Sequence, residues 1–350
     1  MPVLGKALHT PFAFGFTGVD LFFVLSGFLL TLPFALAARS GSGHPLLGRY
    51  FKRRLLRVLP AYYAQLAIIL LAGAWFVTWK PLGVATLLAH FTMFFNAGPD
   101  PVRPMVGVWW TLPVEMSFYL LLPLIAVFMR PGRWLYFLVI SILMSLAYRY
   151  WAVVHFSTDS NLIRLAASHL PGSLPEFLLG SSAAILVQYC RLKSIKPPSA
   201  LILDLMFVVS TAGVFLWLWG IVLPHGSQFW WGHWSMLVEP VVLGLVLSVM
   251  VISLYWGSRI GNLLCANRPV YFLGLISYSL YLWHFVVLQQ LEQHLGEGFK
   301  QLAAMPKFLL STVLVIVVSA LSYYLFERPF FKLRSNDKAV DKGVVAKYEA

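Results

Sequence analysis

Charge is scarce in this chain. Only 11% of its 350 residues are charged, against about 25% in a soluble domain. Hydrophobic residues make up 59%, above the usual level of about 45–50%, and mean hydropathy is +0.78. No water-soluble fold of this length hides so much apolar surface, which excludes a soluble globular protein and implies a polytopic membrane protein. Cysteine is nearly absent. Cys190 and Cys265 lack metal-ligand spacing, which excludes a disulfide framework and a cysteine metal site and leaves two unpaired structural thiols. No group of residues has the spacing of a metal site of any other kind. There is no internal repeat and no low-complexity tract. Met1 to Thr17 lacks the basic region and small-residue cleavage site of a signal peptide.

What the chain has instead is long apolar runs. They cover roughly 16–38, 58–79, 112–129, 134–153, 173–190, 200–223, 235–254, 270–290 and 306–326, each about 20 residues, the length that crosses a hydrocarbon layer as a helix. The stretch 82–97 is shorter, contains His90 and Asn96, and reads as re-entrant or interfacial. The 13 tryptophans and 15 tyrosines suit an interfacial aromatic belt. The expected fold is therefore all-α, a polytopic transmembrane helix bundle. One membrane domain would span 1–334, followed by a disordered polar tail over 335–350.

Loop charge sets an expected orientation. If 39–57 is cytoplasmic, then 130–133, 191–199, 255–269 and 327–350 share its side and hold 19 of the 26 Lys and Arg residues; the other side holds 7. That asymmetry fits the positive-inside rule and puts the C-terminus in the cytoplasm. It also explains the net charge of +13 without nucleic acid, so the lipid bilayer is the expected partner. On this count Met1–Gly15 lies outside with no preceding span. Either the amino terminus is translocated, or the chain carries about nine full spans plus the remnant of an earlier one.

Several polar residues interrupt the apolar pattern. Asp20 opens a span in Gly18-Val19-Asp20-Leu21-Phe22-Phe23-Val24-Leu25-Ser26-Gly27, where an acid at the edge of hydrocarbon costs on the order of 3 kcal/mol unless hydrated or paired. Glu115, in Trp109-Trp110-Thr111-Leu112-Pro113-Val114-Glu115, begins another span on the same side. It is a candidate to orient a histidine or bind hydroxyls, and equally an acid favoured by a helix N-terminus. Arg53, Arg54 and Arg57 stand in a basic loop that suits phosphate, either on anionic lipid or on a phosphate-bearing donor. Ser277, Tyr281 and His284 fall near one helical stripe, either a polar cavity or a helix–helix hydrogen-bonding face. Glu327 and Pro329 close the last span, the acid to pair with interfacial charge and the proline to stop the helix. His9 has the unperturbed pKa range of a general base.

Taken in order, these motifs resemble membrane acyltransferase family 3, integral-membrane O-acyltransferases that modify sugars and related hydroxyl acceptors in bacteria. GVDLFFVLSGFLL, the Arg53–Arg54–Arg57–Pro60 run, WWTLPVEMSFYLLLPL, SYSLYLWH and ERPF carry the resemblance, which covers most of the chain. It implies a ten-span bundle in the bacterial inner membrane, acyl-CoA (commonly acetyl-CoA) as donor, a sugar or lipid-linked glycan as acceptor, and no tightly bound cofactor. The family's first helix carries an arginine about ten residues before a histidine presumed to be the catalytic base. His9 stands in that histidine's place without the arginine, so the chain reads as starting part-way through the first span. Met116 and Ser117 depart from the acidic and amide residues often seen after the first glutamate. The implied roles are His9 as base, Asp20 or Glu115 as its orienting carboxylate, Arg53, Arg54 and Arg57 on the donor, and Ser277, Tyr281 and His284 at the acceptor or in proton relay. A covalent route through His9 or Ser26 remains open, as do a proton-coupled transporter or flippase and a catalytically inactive truncated homologue.

Overall fold

The computed structural model describes residues 17–40, 47–72, 83–95, 104–129 and 133–335. His9 and residues 336–350 lie outside them. In chain order the first helices are α1 (Thr17–Ser40), α2 (Leu47–Leu71), α3 (Val84–Thr92) and α4 (Thr111–Ile125). Next come α5 (Arg133–His155), α6 (Ser160–Ala167), α7 (Leu170–Leu192) and α8 (Ala200–Trp217). A four-residue helical turn at Gly226–Phe229 precedes α9 (Trp234–Tyr255) and α10 (Arg259–Cys265). Then follow α11 (Arg268–Leu275), α12 (Ser277–His294), the short Gly296–Gln301 helix, α13 (Ala304–Ser322) and α14 (Arg328–Ser335). No strand occurs among the described residues. Among the described residues, eight helices are long and apolar enough to cross a membrane, or nine if the bent α11–α12 pair forms one span. The chain is a multi-span all-α membrane protein.

Three expectations need correction. The basic run is not loop: α2 starts at Leu47 and carries Arg53, Arg54 and Arg57 in its first turns, because long side chains with aliphatic stems are good helix formers whatever their hydropathy. The eighth expected span is broken by 74° between Leu275 and Ser277. Pro329 does not stop the last helix. A π-helical segment, Tyr323–Glu327, hands the chain directly to α14, so the proline falls in a first turn, where its missing N–H costs nothing. The 82–97 stretch forms only the nine-residue α3, too short to cross, and ends at Met93 in the left-handed conformation, φ 60°.

The chain clusters into two compact units. Unit one comprises Met1–Pro45, Asn96–Pro101 and Trp110–Asn267; unit two comprises Leu46–Phe95, Val102–Trp109 and Arg268–Ala350. In unit one, α7 is the central helix: 78% of its most apolar window is buried, against 22% for α5 and 28% for the span containing α8. Its sequence explains why. Gly172, Ser173, Gly180, Ser181, Ala183 and Ala184 present little side chain, so neighbouring backbones come close, the usual means of packing helices in lipid. A Cβ at Gly180 would strike the Val24 carbonyl of α1, and one at Gly27 would strike the Phe177 carbonyl of α7. A Cβ at Gly244 would approach the Glu176 backbone from α9. Around the outside, Leu135, Ile140, Leu201 and Leu216 are exposed, as lipid-facing side chains are.

Candidate active site

The α1–α7 crossing determines what meets above it. Thr31 Oγ1 donates to Ser181 Oγ at 2.8 Å, and Ser181 Oγ donates to the Phe177 carbonyl at 2.8 Å. The Phe23 and Phe118 rings both stack on the Phe177 ring, with centroids 4.5 and 4.2 Å from its own. Toward the helix starts, this register brings Asp20, in the first turn of α1, to the level of Glu176, in the second turn of α7, where each carboxyl acts on the other. The chain alternates direction, so the end of α5 and the start of α9 reach the same level. Arg149 Nη2 of α5 forms an ion pair with Glu239 Oε2 of α9 at 3.5 Å. Its Nη1 donates to the Gly172 carbonyl at 3.4 Å, and a Cβ at Gly172 would crowd Arg149 Cγ at 3.3 Å. Glycine there is required first by the Ala167 carbonyl, which a Cβ would strike at 1.8 Å, and it also leaves space for the Arg149 stem.

Four helices thus supply three carboxylates and one guanidinium to one buried place. Arg149, Glu176 and Glu239 are 3%, 2% and 5% exposed, and Asp20 is half-buried. Buried polar atoms in proteins are almost always paired. Here Arg149 Nε, Glu176 Oε2 and Glu239 Oε1 are buried with no hydrogen-bond partner. Glu115, on α4 in the same unit, is engaged separately, accepting a hydrogen bond from Tyr119. At the head of α7, His169 Nδ1 lies 3.2 Å from the Tyr148 hydroxyl, and burial pushes His169 down to about 4. Its imidazole is therefore neutral at physiological pH.

Unit two carries the other candidates. Arg53 and Arg57 are one turn apart on α2, with Arg54 beside them, and all three are half-buried. Glu327 is buried at the end of the π-helical segment and accepts from Ser279 Oγ at 2.5 Å; Ser279 also lies 3.0 Å from Ser322 Oγ. Arg57 is among the charges that act on Glu327. Tyr281 donates to the Val108 carbonyl, and His284 Nδ1 lies 3.0 Å from its own helix carbonyl at Leu280. The Tyr281 and His284 rings are neighbours at 6.0 Å, whereas Ser277, at the bend, is exposed. Gln65 ties this unit together: it donates to the Leu282 carbonyl at 2.6 Å and accepts from Trp109 Nε1 at 2.8 Å.

A family model described as an acyltransferase domain matches residues 2–324. The chain belongs to this acyltransferase family. The membrane acyltransferase is 26% identical to O-acetyltransferase OatA of Staphylococcus aureus (strain NCTC 8325 / PS 47) over 345 residues, 91% of this chain and 53% of the relative. It is also 26% identical to YrhL of Bacillus subtilis (strain 168), named as a candidate peptidoglycan O-acetyltransferase, over 357 residues, 90% of this chain and 50% of the relative. The chain spans about half the length of the curated relatives it matches. No solved structure matches it.

Within the acyltransferase, the motif residues fall into separate groups. Asp20 is joined by residues that no motif named, while Glu115 has its own tyrosine partner. Arg53, Arg54, Arg57, Tyr281, His284 and Glu327 belong to unit two. Arg149, Glu176 and Glu239 were missed. Arg149 lies inside α5, within the expected span 134–153. The two glutamates had a signal: each is an acid in an otherwise apolar span, beside a proline, in LPEFLLG and LVEPVVLG.

Proposed function

We propose that this acyltransferase is an O-acyltransferase that moves an acyl group, in the simplest case acetyl, from cytoplasmic acyl-CoA to a hydroxyl of a glycan on the opposite side of the bacterial inner membrane. The observation that carries this reading is the buried cluster of Asp20, Arg149, Glu176 and Glu239, with hydrogen-bonding capacity unspent, in a chain of this family. Deprotonating a hydroxyl while it attacks a thioester needs a base, a group that orients the base, and support for the developing oxyanion. His9 takes the role of base, with Asp20 or Glu115 orienting it. Arg53, Arg54 and Arg57 hold the donor's phosphates, since guanidinium groups bind phosphate through paired N–H donors. Tyr281 and His284 line the acceptor path, with Ser277 at its edge and Glu327 supporting Arg57. The name of the Bacillus subtilis relative favours peptidoglycan or a similar glycan as acceptor. The catalytic domain is 1–334, and the tail after it is cytoplasmic. No tightly bound cofactor is invoked.

The test uses the full chain in lipid nanodiscs, radiolabelled acetyl-CoA and a soluble muramyl glycan fragment. Labelled O-acetyl ester should form and be lost in His9→Ala and in the Arg53→Ala/Arg57→Ala pair. A folded wild-type protein that leaves the thioester unconsumed would refute the reading, and undiminished transfer by His9→Ala would refute the assignment of the base.

A further inference from the structure

Four of the buried polar atoms of unit one that lack a partner belong to one neighbourhood: Arg149 Nε, Glu176 Oε2, Glu239 Oε1 and His169 Nε2. Helix packing brings them together. Arg149 lies along α7 at Gly172, where its Nη1 donates to the Gly172 carbonyl at 3.4 Å and its Cγ is 3.3 Å from the position of a Gly172 Cβ. Glu176 is one turn further on the same face of α7. There the backbone of α9 closes in, since a Cβ at Gly244 would lie 3.3 Å from Glu176 Cα. With the single span α8 between them, α7 and α9 run in the same direction. Glu239, just over one turn before Gly244, therefore stands level with Gly172 and meets Arg149 Nη2 at 3.5 Å. His169 heads α7. Its carbonyl accepts from the Gly172 N–H at 2.9 Å, and its Nδ1 lies 3.2 Å from the hydroxyl of Tyr148, the chain neighbour of Arg149.

The hydrogen-bonding character of these atoms restricts what can fill the place. Arg149 Nε is a donor, and the two carboxyl oxygens are acceptors. An ammonium group carries donors only and would leave Arg149 Nε orphaned. A carboxylate or phosphate carries acceptors and charge, and would face the oxygens of Glu176 and Glu239. An apolar group satisfies none of them, at full desolvation cost. A metal ion has no seat, since among the described residues no three acidic, histidine or cysteine side chains converge to hold one. Hydroxyl groups fit, because each both accepts and donates: one takes the Arg149 Nε–H and gives its proton to a carboxyl oxygen, and a second serves the other carboxyl. Exposure falls along α7 from half-buried His169 to buried Gly172 and Glu176, so the place opens at the head of that helix. By the loop-charge count this head faces away from the cytoplasm.

We propose that Arg149, Glu176 and Glu239, reached past His169, form the site that binds the hydroxyl groups of the sugar acceptor. That the ligand is the acceptor rests on the acyl-transfer reading; the site's preference for hydroxyls does not. The two Nη atoms of Arg149 are spent on Glu239 and on the Gly172 carbonyl, which holds the guanidinium in place and leaves Nε as its free donor. Such a site is selective. Polar groups built to hold a hydroxyl reject an analogue that lacks it more strongly than apolar walls can, because the atoms left behind are buried and unpaired. Arg149, Glu176 and Glu239 are 3%, 2% and 5% exposed, so bulk water does not rehydrate them.

Binding of the soluble muramyl glycan fragment and of its mono-deoxy analogues to the full chain in lipid nanodiscs tests this without turnover. Wild type should bind at least one analogue about tenfold or more weaker than the parent fragment. Glu176→Gln keeps the side chain's size but not its paired acceptors. It should lose about tenfold in fragment affinity and lose the discrimination between fragment and analogue, with acetyl-CoA affinity unchanged. Arg149→Lys keeps a cation for Glu239 and removes the Nε donor; it should behave alike, and decides the matter if Glu176→Gln does not fold. Glu292→Gln, at an exposed acid, should match wild type. A role confined to packing would lower the thermal midpoint of the two site variants and leave discrimination intact. A wild type that binds fragment and analogues equally has fixed water on these atoms, which overturns the proposal. So does a wild type that does not bind the fragment, or a folded Glu176→Gln protein that discriminates as wild type does. Discrimination by a wild type that never consumes the thioester defeats the acyl-transfer reading and leaves the hydroxyl site standing.

Discussion

In unit one, the charged Arg149 Nε, Glu176 Oε2 and Glu239 Oε1 are buried and unpartnered; in unit two, Trp283 Nε1 and Ser319 Oγ are the neutral counterparts, while Gln65, Tyr62 and His90 are buried with their polar groups engaged. Tyr62 donates to the His90 carbonyl at 2.8 Å, and both His90 ring nitrogens have partners. Low dielectric strengthens satisfied networks and penalises incomplete ones, so the same apolar surroundings make the second set a brace and the first a liability unless it does something. Incomplete hydrogen bonding among charged residues is therefore the better pointer to chemistry, and a lone intramembrane histidine the poorer one.

The strongest way to break the comparison is through the packing that assembles unit one's cluster. Leucine at Gly27 or Gly180 would place side-chain atoms inside the carbonyl of the facing helix, and backbone cannot yield as a side-chain tip can. We expect about 3 kcal/mol or more of destabilisation, read as loss of monodisperse protein and a lower thermal midpoint. In unit two, a Cβ at Gly107 would meet only the Phe285 ring at 3.5 Å, an ordinary contact. Gly107→Ala should change stability by under about 1 kcal/mol. Equal tolerance at Gly27 and Gly107 would mean that α1 and α7 are not in this close register.

Next in size is Arg149→Met. It leaves the buried Glu239 without its counter-ion, and breaking a buried ion pair from one side costs about 3–5 kcal/mol. Adding Glu239→Gln should recover much of that loss, which a double-mutant cycle on thermal or denaturant unfolding would measure. In unit two, Gln65→Leu removes two neutral hydrogen bonds and orphans Trp109 Nε1, for about 1–3 kcal/mol. Acyl transfer per folded molecule should not change. If Gln65→Leu abolished transfer while the protein stayed folded, unit two's network would be chemical rather than a brace.

How far the sequence shows these things depends on how local their causes are. Spans are legible because twenty consecutive apolar residues are a local property, and among the described residues eight of the nine runs overlap a long helix while the run 270–290 falls on the bent pair. The GVD motif made Asp20 conspicuous, but its partner Glu176 is 156 positions away, brought in by the meeting of Gly27 with α7 and of Gly180 with α1. No single-sequence pattern encodes that pairing. Nothing local marks Arg149 as a buried cation, because its burial in a span depends on Glu239, 90 residues on. The 74° break before Ser277 has no proline at it and leaves no mark in hydropathy. Pro329 misled for the opposite reason, since a strong local rule was met by a π-helical segment immediately before it.

The smallest effect separates the two units by acid. Burial holds His169 of unit one at about 4 and lowers His90 of unit two, so both bind protons less readily when folded than when unfolded. The unfolded chain binds protons at these sites from about pH 6.5 downward while the folded one does not, and stability must fall as pH drops. For His169 the loss runs from about 6.5 to about 4 and stops there. The routes differ. His90 Nε2 accepts from the Met105 N–H at 3.1 Å, so protonation would set hydrogen against hydrogen and break a bond of the brace. His169 Nε2 has no such partner, so its protonation faces only the cost of burying charge. Thermal midpoints between pH 6.5 and 5 should therefore fall in wild type and fall less steeply in His169→Gln. An unchanged slope in His169→Gln would show that this imidazole is already charged or hydrated in the folded protein. Hydrogen exchange at the Met105 amide should rise over the same window if His90 protonates through its brace, and stay flat if acid acts through unit one alone.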